Sequence, residues 1–211
     1  MFRARFDPGV VGRVRAWLAP DEQARADRFV FEKDRRRFVF ARAGLRQILG
    51  ACMGVSPAEV GIRAEAGGKP FVDGAHPELQ FNLAHAGDLV LYALARERRV
   101  GVDVESFDPA REHGAIAERF YSPRERAELE AAPEDARARL FLTFWTRKEA
   151  MVKATGEGIW EAFKNVDTAA PPAEIEPWTR CDLAPAPDYL GALVVEGAGV
   201  AVRRFELVVG A

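Results

Sequence analysis

Apolar positions recur at helical spacing in two long stretches of the chain and alternate at strand spacing in several short ones. Phe38, Ala41, Leu45, Ile48 and Cys52 step by three and four residues, which predicts a long helix with these side chains on its core face. Pro20-Asp21-Glu22 opens a shorter helical stretch before it. Residues 134–155 read as one long helix with Phe141, Phe144, Trp145, Met151 and Val152 in a buried stripe, ended by Gly156-Glu157-Gly158. Ser56-Pro57-Ala58-Glu59 and Ser122-Pro123-Arg124-Glu125 each set a serine before proline and a glutamate three places on. That is the signature of a capping box, so both serines read as helix caps rather than nucleophiles. Extended segments are expected near 60–66, 79–83, 88–95 and 99–105, separated by Gly-Gly, Pro and Gly-Asp turn signals. Two last strands are expected near 189–196 and 200–209, after loops at 169–173 and Pro185-Ala-Pro187. Helices and strands mix without regular βαβ alternation, which assigns the chain to the α+β class.

Composition adds limits. At 211 residues and 48% hydrophobic, the chain can bury its own core as one domain or two small halves. A formal net charge of −2 argues against a nucleic-acid partner. Met-Phe-Arg-Ala-Arg-Phe lacks the apolar run of a signal peptide, and no stretch is long enough to span a membrane, so a cytoplasmic protein is expected. Cys52 and Cys181 are too few for a metal cluster and imply no disulfide framework.

The chemistry concentrates in two segments. In Val100-Gly-Val-Asp-Val-Glu105 the strand period puts Asp103 and Glu105 on one face. Two like charges held together suit a hard divalent cation such as Mg²⁺; the alternative is an ordinary solvated strand edge. Glu149 and Lys153 stand four apart and share a helix face, where they either address a common site or form a surface ion pair worth about 0.3 to 0.5 kcal/mol. Lysine is scarce: 25 of the 30 basic residues are arginine, and Lys69, Lys148 and Lys153 are three of the five lysines, the others being Lys33 and Lys164. Their placement suggests that a compact ammonium is wanted in these segments. Arg35, Arg36, Arg37, Arg42 and Arg46 line the other sides of the first long helix, either as a solvated basic face or as a field for a polyanion. His85 lies in a polar turn where an imidazole could donate to a phosphate oxygen or simply be solvated.

Four segments in order, Gly68-Lys-Pro-Phe71, Phe81-Asn-Leu-Ala-His85, Val100-Gly-Val-Asp-Val-Glu105 and Trp145-Thr-Arg-Lys-Glu-Ala-Met-Val-Lys153 with Gly156 and Gly158, resemble the 4′-phosphopantetheinyl transferases of the Sfp type. The resemblance covers roughly residues 20–165. It implies two similar halves about a pseudo-twofold axis, each a small antiparallel sheet packed with a long helix. Residues 1–99 would contact the nucleotide and phosphates of coenzyme A, and 100–211 would hold the metal site, the catalytic helix and the carrier-protein contacts. The activity implied is Mg²⁺-dependent transfer (Mn²⁺ being the other candidate ion) of 4′-phosphopantetheine from coenzyme A to a serine of an apo acyl or peptidyl carrier protein, with release of 3′,5′-ADP. The pathway served would be fatty acid, polyketide or nonribosomal peptide synthesis. Asp103, Glu105 and Glu149 would ligate the metal. Glu149 or a metal-bound water would be the base, and Lys153 would stabilise the leaving phosphate. Arg25, Arg37, Arg42, Lys69, His85, Lys148 and Lys153 would bind coenzyme A. Serines flank the histidine in many members of the family, whereas Ala84 and Ala86 flank His85, which removes a hydroxyl contact to phosphate. The family analogy also implies a monomer, bound to neither membrane nor nucleic acid. The competing reading is a catalytically weak module that binds coenzyme A or a carrier protein.

Overall fold

The computed structural model describes residues 1–64, 68–74, 76–108, 114–156, 163, 166–170, 175 and 177–211. Strand β1 (Phe2–Arg5) is followed by the short helix α1 (Val11–Val14), helix α2 (Pro20–Asp27) and the long helix α3 (Glu32–Met53). Strands β2 (Ile62–Ala64) and β3 (Pro70–Val72) form a small hairpin, and β4 (Leu79–Ala86) and β5 (Leu89–Arg96) a longer one. Strand β6 (Val100–Ser106) leads to helices α4 (Gly114–Phe120), α5 (Pro123–Ala131) and α6 (Glu134–Thr155), then to strands β7 (Trp178–Ala186), β8 (Tyr189–Glu196) and β9 (Phe205–Glu206). The mixed α+β class expected from the sequence is the one observed. Among the described residues no helix is long and apolar enough to cross a membrane.

Two sheets each carry one long helix. The first has the order β4-β5-β1-β9 and shares a core with α3, whose Phe40 and Leu45 cluster with Ala4, Phe81 and Tyr92; the second has the order β6-β8-β7 and is covered by α6. Both helices are 22 residues long, and both end at a glycine in the left-handed region, Gly54 (φ 72°) and Gly156 (φ 75°), where the missing Cβ removes the steric cost of the cap. The first sheet is not wholly antiparallel, because β9 pairs with β1 in parallel through Phe2↔Phe205 and Arg3↔Glu206. The end of the chain thus returns to the first half: Val209 is buried in the same core as Phe40, Leu45 and Tyr92, and the Gln47 side chain accepts from the Gly210 N–H at 3.0 Å. A division at residue 99/100 therefore separates the last residues from the half they pack in.

Other departures from the sequence reading have local causes. The Ser56 box closes only a single 3-10 turn, Pro57–Glu59, rather than a helix. Cys52 is exposed, while α3 buries Val39, Phe40, Ala43 and even Arg46, because α2 packs on a side that the arginines suggested was solvated. The two halves share a core: Leu91 and Ala93 of β5 pack with Val102 and Val104 of β6 and Leu193 of β8.

Candidate functional site

The site begins with a glycine. A Cβ on Gly101 would stand 2.0 Å from the carbonyl oxygen of Ala150 and 2.4 Å from the Ala154 nitrogen, so helix α6 lies directly on the bare backbone of β6. The turns of α6 that include Ala150 and Ala154 also carry Glu149 and Lys153. Lys153 Nζ donates to Asp103 Oδ1 at 2.7 Å. Asp103 is buried, at 4% exposure, which removes the solvated-edge alternative for this carboxylate. Its second oxygen, Oδ2, is buried with no hydrogen-bond partner. Glu149 is pushed above the usual carboxylate range, first by desolvation and then by the carboxylates of Asp103 and Glu105, with Lys153 opposing. Asp103, Glu105, Glu149 and Lys153 therefore act on one another. Among the described residues no group of three His, Cys, Asp or Glu side chains is assembled as a metal cage. The orphaned Asp103 oxygen and the mutual repulsion of the carboxylates are nonetheless the donor chemistry that a hard divalent cation satisfies.

A second approach comes from the first half. Strands β4 and β6 are edge strands of their respective sheets, and they meet there. The Val102 N–H donates to Asn82 Oδ1 at 3.0 Å, both groups being buried. A buried edge N–H requires such a partner, and this bond ties the register of β6 to β4. Asn82 precedes His85 by three residues and Val102 adjoins Asp103, so the bond sets the spacing between histidine and carboxylate. His85 is held below its usual range by partial desolvation, then by the charges of Lys153 and Arg37, with Asp103 opposing. His85, Arg37, Lys153 and Asp103 are thus electrostatic neighbours.

The basic residues expected to bind phosphate divide by place. Arg37 donates to Asp88 Oδ1 through Nε (3.0 Å) and Nη2 (2.8 Å) in the turn that follows His85. Arg42 and Arg46 share the buried Glu22, at 2.7 and 2.6 Å from their Nε atoms, and Arg46 also donates to the Val60 carbonyl. Arg25 lies over the Phe38 ring at 5.2 Å. Arg25 and Arg42 line a cavity of about 680 Å³ together with Ile62, Gly68, Asn82 and Leu83. Lys69 donates to the Ala154 carbonyl at 2.7 Å, tying the β2–β3 hairpin to the last turn of α6. Lys148 is not brought to this group: its ammonium is fully buried against Glu125 Oε2 at 3.0 Å and the Phe163 carbonyl at 2.9 Å. Glu157, Gly158 and Lys164 lie outside the described residues. Sequence reasoning gave no role to Gly101 or Asn82, and gave Glu125 only that of the capping-box partner of Ser122. A glycine inside a strand and an asparagine between Phe81 and Leu83 were the available signals, since the first marks close backbone approach and the second a buried polar group needing a partner.

Residues 99–188 match the family model of the 4′-phosphopantetheinyl transferase superfamily, and residues 11–97 match one described as 4′-phosphopantetheinyl transferase, N-terminal. Over 191 residues the chain is 38% identical to the 4′-phosphopantetheinyl transferase HetI of a Nostoc species, spanning 87% of this chain and 81% of that protein. It is 34% identical over 154 residues to a putative 4′-phosphopantetheinyl transferase of a Synechocystis species, with 72% and 63% covered. A 4′-phosphopantetheinyl transferase of Bacillus subtilis is 28% identical over 151 residues, with 72% and 66% covered. The chain belongs to the 4′-phosphopantetheinyl transferase superfamily.

Proposed function

We propose that this protein transfers 4′-phosphopantetheine from coenzyme A to a serine of an apo carrier protein, as a transferase of the Sfp type that uses Mg²⁺ and releases 3′,5′-ADP. The observation that carries the reading is the meeting of His85, Asp103, Glu149 and Lys153, from three separate motifs, where edge strands β4 and β6 join. Coenzyme A is a polyanion with a long nucleotide. Arg25 and Arg42 at the cavity beside β4 suit its nucleotide end, and Arg37 and His85 suit phosphates nearer the carboxylates. Lys69, held to the end of α6, closes the same side.

Asp103, Glu105 and Glu149 would hold Mg²⁺, whose charge would neutralise the pyrophosphate and orient it for attack. Glu149, a carboxylate made more basic by desolvation and by the carboxylates of Asp103 and Glu105, accepts a proton from the attacking serine hydroxyl. Lys153 screens Asp103 in the ligand-free protein and turns its ammonium to the departing phosphate when coenzyme A is bound. The oxygen–phosphorus bond to the serine forms as the bond to 3′,5′-ADP breaks, and the proton taken by Glu149 balances the serine's loss. The test is chromatographic release of 3′,5′-ADP on mixing protein, coenzyme A, Mg²⁺ and apo carrier. Release that depends on the carrier supports the reading; binding of coenzyme A with no release would leave only a binding module.

A further inference from the structure

The motif that carries Glu149 also carries a lysine that the site does not use. Lys148 and Glu125 are both fully buried, with Nζ 3.0 Å from Oε2. Lys148 Nζ also donates to the carbonyls of Phe163, at 2.9 Å, and Val166. An ammonium has three donors, and here three acceptors take them, so none is left for a phosphate. Glu125 is equally committed. Its Oε2 accepts from the Ser122 N–H at 2.7 Å, and its Oε1 from the Thr168 N–H at 2.8 Å and hydroxyl at 2.6 Å. The hydroxyl of Ser122 closes the network by accepting from the Glu125 N–H at 3.1 Å and donating to Asp167 at 3.1 Å. The start of α5, the middle of α6 and the segment around Thr168 are joined at one buried charge pair.

The pair's position on α6 gives it a consequence for the site. Successive helix residues turn by about 100°. Taking Lys148 as zero, Ala150 and Ala154, which rest on the bare backbone of Gly101, lie at about 200° and 240°, nearly opposite. Glu149 and Lys153 lie between, at about 100° and 140°. The helix is gripped on two opposing sides, and its rotation about its own axis is fixed. That rotation decides whether Glu149 and Lys153 face Asp103.

We propose that Lys148 and Glu125 are a positioning pair for the transfer reaction: they set the rotation of α6 that aims Glu149 and Lys153 at β6, and Lys148 takes no part in binding coenzyme A. This deepens the transferase reading and rests on it. It also departs from the phosphate-binding role that the family resemblance implies for Lys148.

The experiment compares Lys148→Met, Glu125→Gln and the double variant for kcat of carrier loading and for the Kd of coenzyme A by calorimetry. Melting curves control for folding. A positioning pair predicts that both single variants lose kcat by on the order of tenfold to a hundredfold while the Kd is unchanged, because small misplacement costs rate rather than ground-state binding. The double variant should be no worse than the singles, since the two residues act as a unit. If a single variant unfolds because it strands a buried charge, the double variant, which removes both charges, carries the same comparison. Weaker coenzyme A binding by Lys148→Met but not by Glu125→Gln would overturn the proposal, as would wild-type kcat in the folded double variant. A wild-type protein that bound coenzyme A without loading any carrier would refute the transferase reading instead, and the Kd comparison would still decide whether Lys148 is a phosphate ligand.

Discussion

Lys153 gives its ammonium to Asp103, 2.7 Å away across the gap between α6 and β6, rather than to Glu149 one turn earlier on its own helix. A pair of this kind, with the carboxylate buried and the lysine partly open, is unlike a surface i,i+4 bridge, which would hold neither residue in place. It leaves Glu149 as a desolvated carboxylate beside two others and leaves one oxygen of Asp103 buried without a partner. The first prediction follows from that oxygen. Asp103→Ala should fold, because it removes an uncompensated buried acceptor, and should lower transfer by at least about a hundredfold, because it removes the partner of Lys153 and a proposed metal ligand. Circular dichroism and carrier-loading rates on one preparation check both parts. A folded Asp103→Ala protein with near-normal turnover would refute the assignment.

Glu149 and Lys153 should fail differently. Glu149→Gln keeps size but loses a ligand and a proton acceptor, so kcat should fall by about two orders of magnitude or more and the Mg²⁺ concentration for half-maximal rate should rise. Lys153→Met should lower kcat comparably with the metal dependence kept. Rates measured against Mg²⁺ concentration for each variant decide. Matching metal curves for the two would show that they do not divide the labour in this way.

His85 titrates below its ordinary value because of partial desolvation and two neighbouring cations. A group whose folded pKa is depressed contributes stability that is present above the unfolded pKa of about 6.5 and is lost as pH falls below it. Binding runs the other way: a phosphate beside His85 favours the protonated ring, so coenzyme A affinity should rise as pH is lowered from 8 through about 6. Calorimetry across that range, repeated with His85→Ala, should show the slope in the wild type and its loss in the variant. Removing this charge-assisted bond should cost about 1.5 to 3 kcal/mol of binding at the acid end. An identical pH slope in the variant would place the titrating group elsewhere.

Asn82 should matter for the joint between halves. Asn82→Ala leaves the Val102 N–H buried without an acceptor, at a cost of about 1 to 3 kcal/mol in denaturant unfolding. Asn82→Asp keeps an acceptor at Oδ1 and should recover part of that loss above the carboxylate's pKa. Equal stability of wild type and Asn82→Ala would mean that another group takes the bond.

Much of this was legible in the chain before folding. Helix α6 spans Glu134–Thr155 as its apolar stripe and Gly156 cap predict, and strand alternation alone put Asp103 and Glu105 on one face. Strand β7 was not legible, since Pro185 reads as a loop residue yet sits at an irregularity between Leu183 and Ala186 where the ladder shifts. Nor was the fate of the tail: of the strand expected over 200–209 only Phe205–Glu206 pairs, with β1 at the far end of the chain. In the site, helix periodicity marked the stripe of Phe141, Phe144, Trp145, Met151 and Val152 as core but could not name the partner that lets Lys148 be buried among them, because Glu125 arrives from another helix. Arg46 was misread for the same reason, its buried partner Glu22 being 24 residues away.

The most direct test of the central claim is the intact mass of an apo carrier protein after incubation with this protein, coenzyme A and Mg²⁺. The account predicts a gain of one phosphopantetheine group on the carrier's serine, lost when that serine is changed to alanine and lost again with Asp103→Ala. A carrier whose mass is unchanged in the presence of the folded wild-type protein, across a panel of acyl and peptidyl carriers, would contradict it.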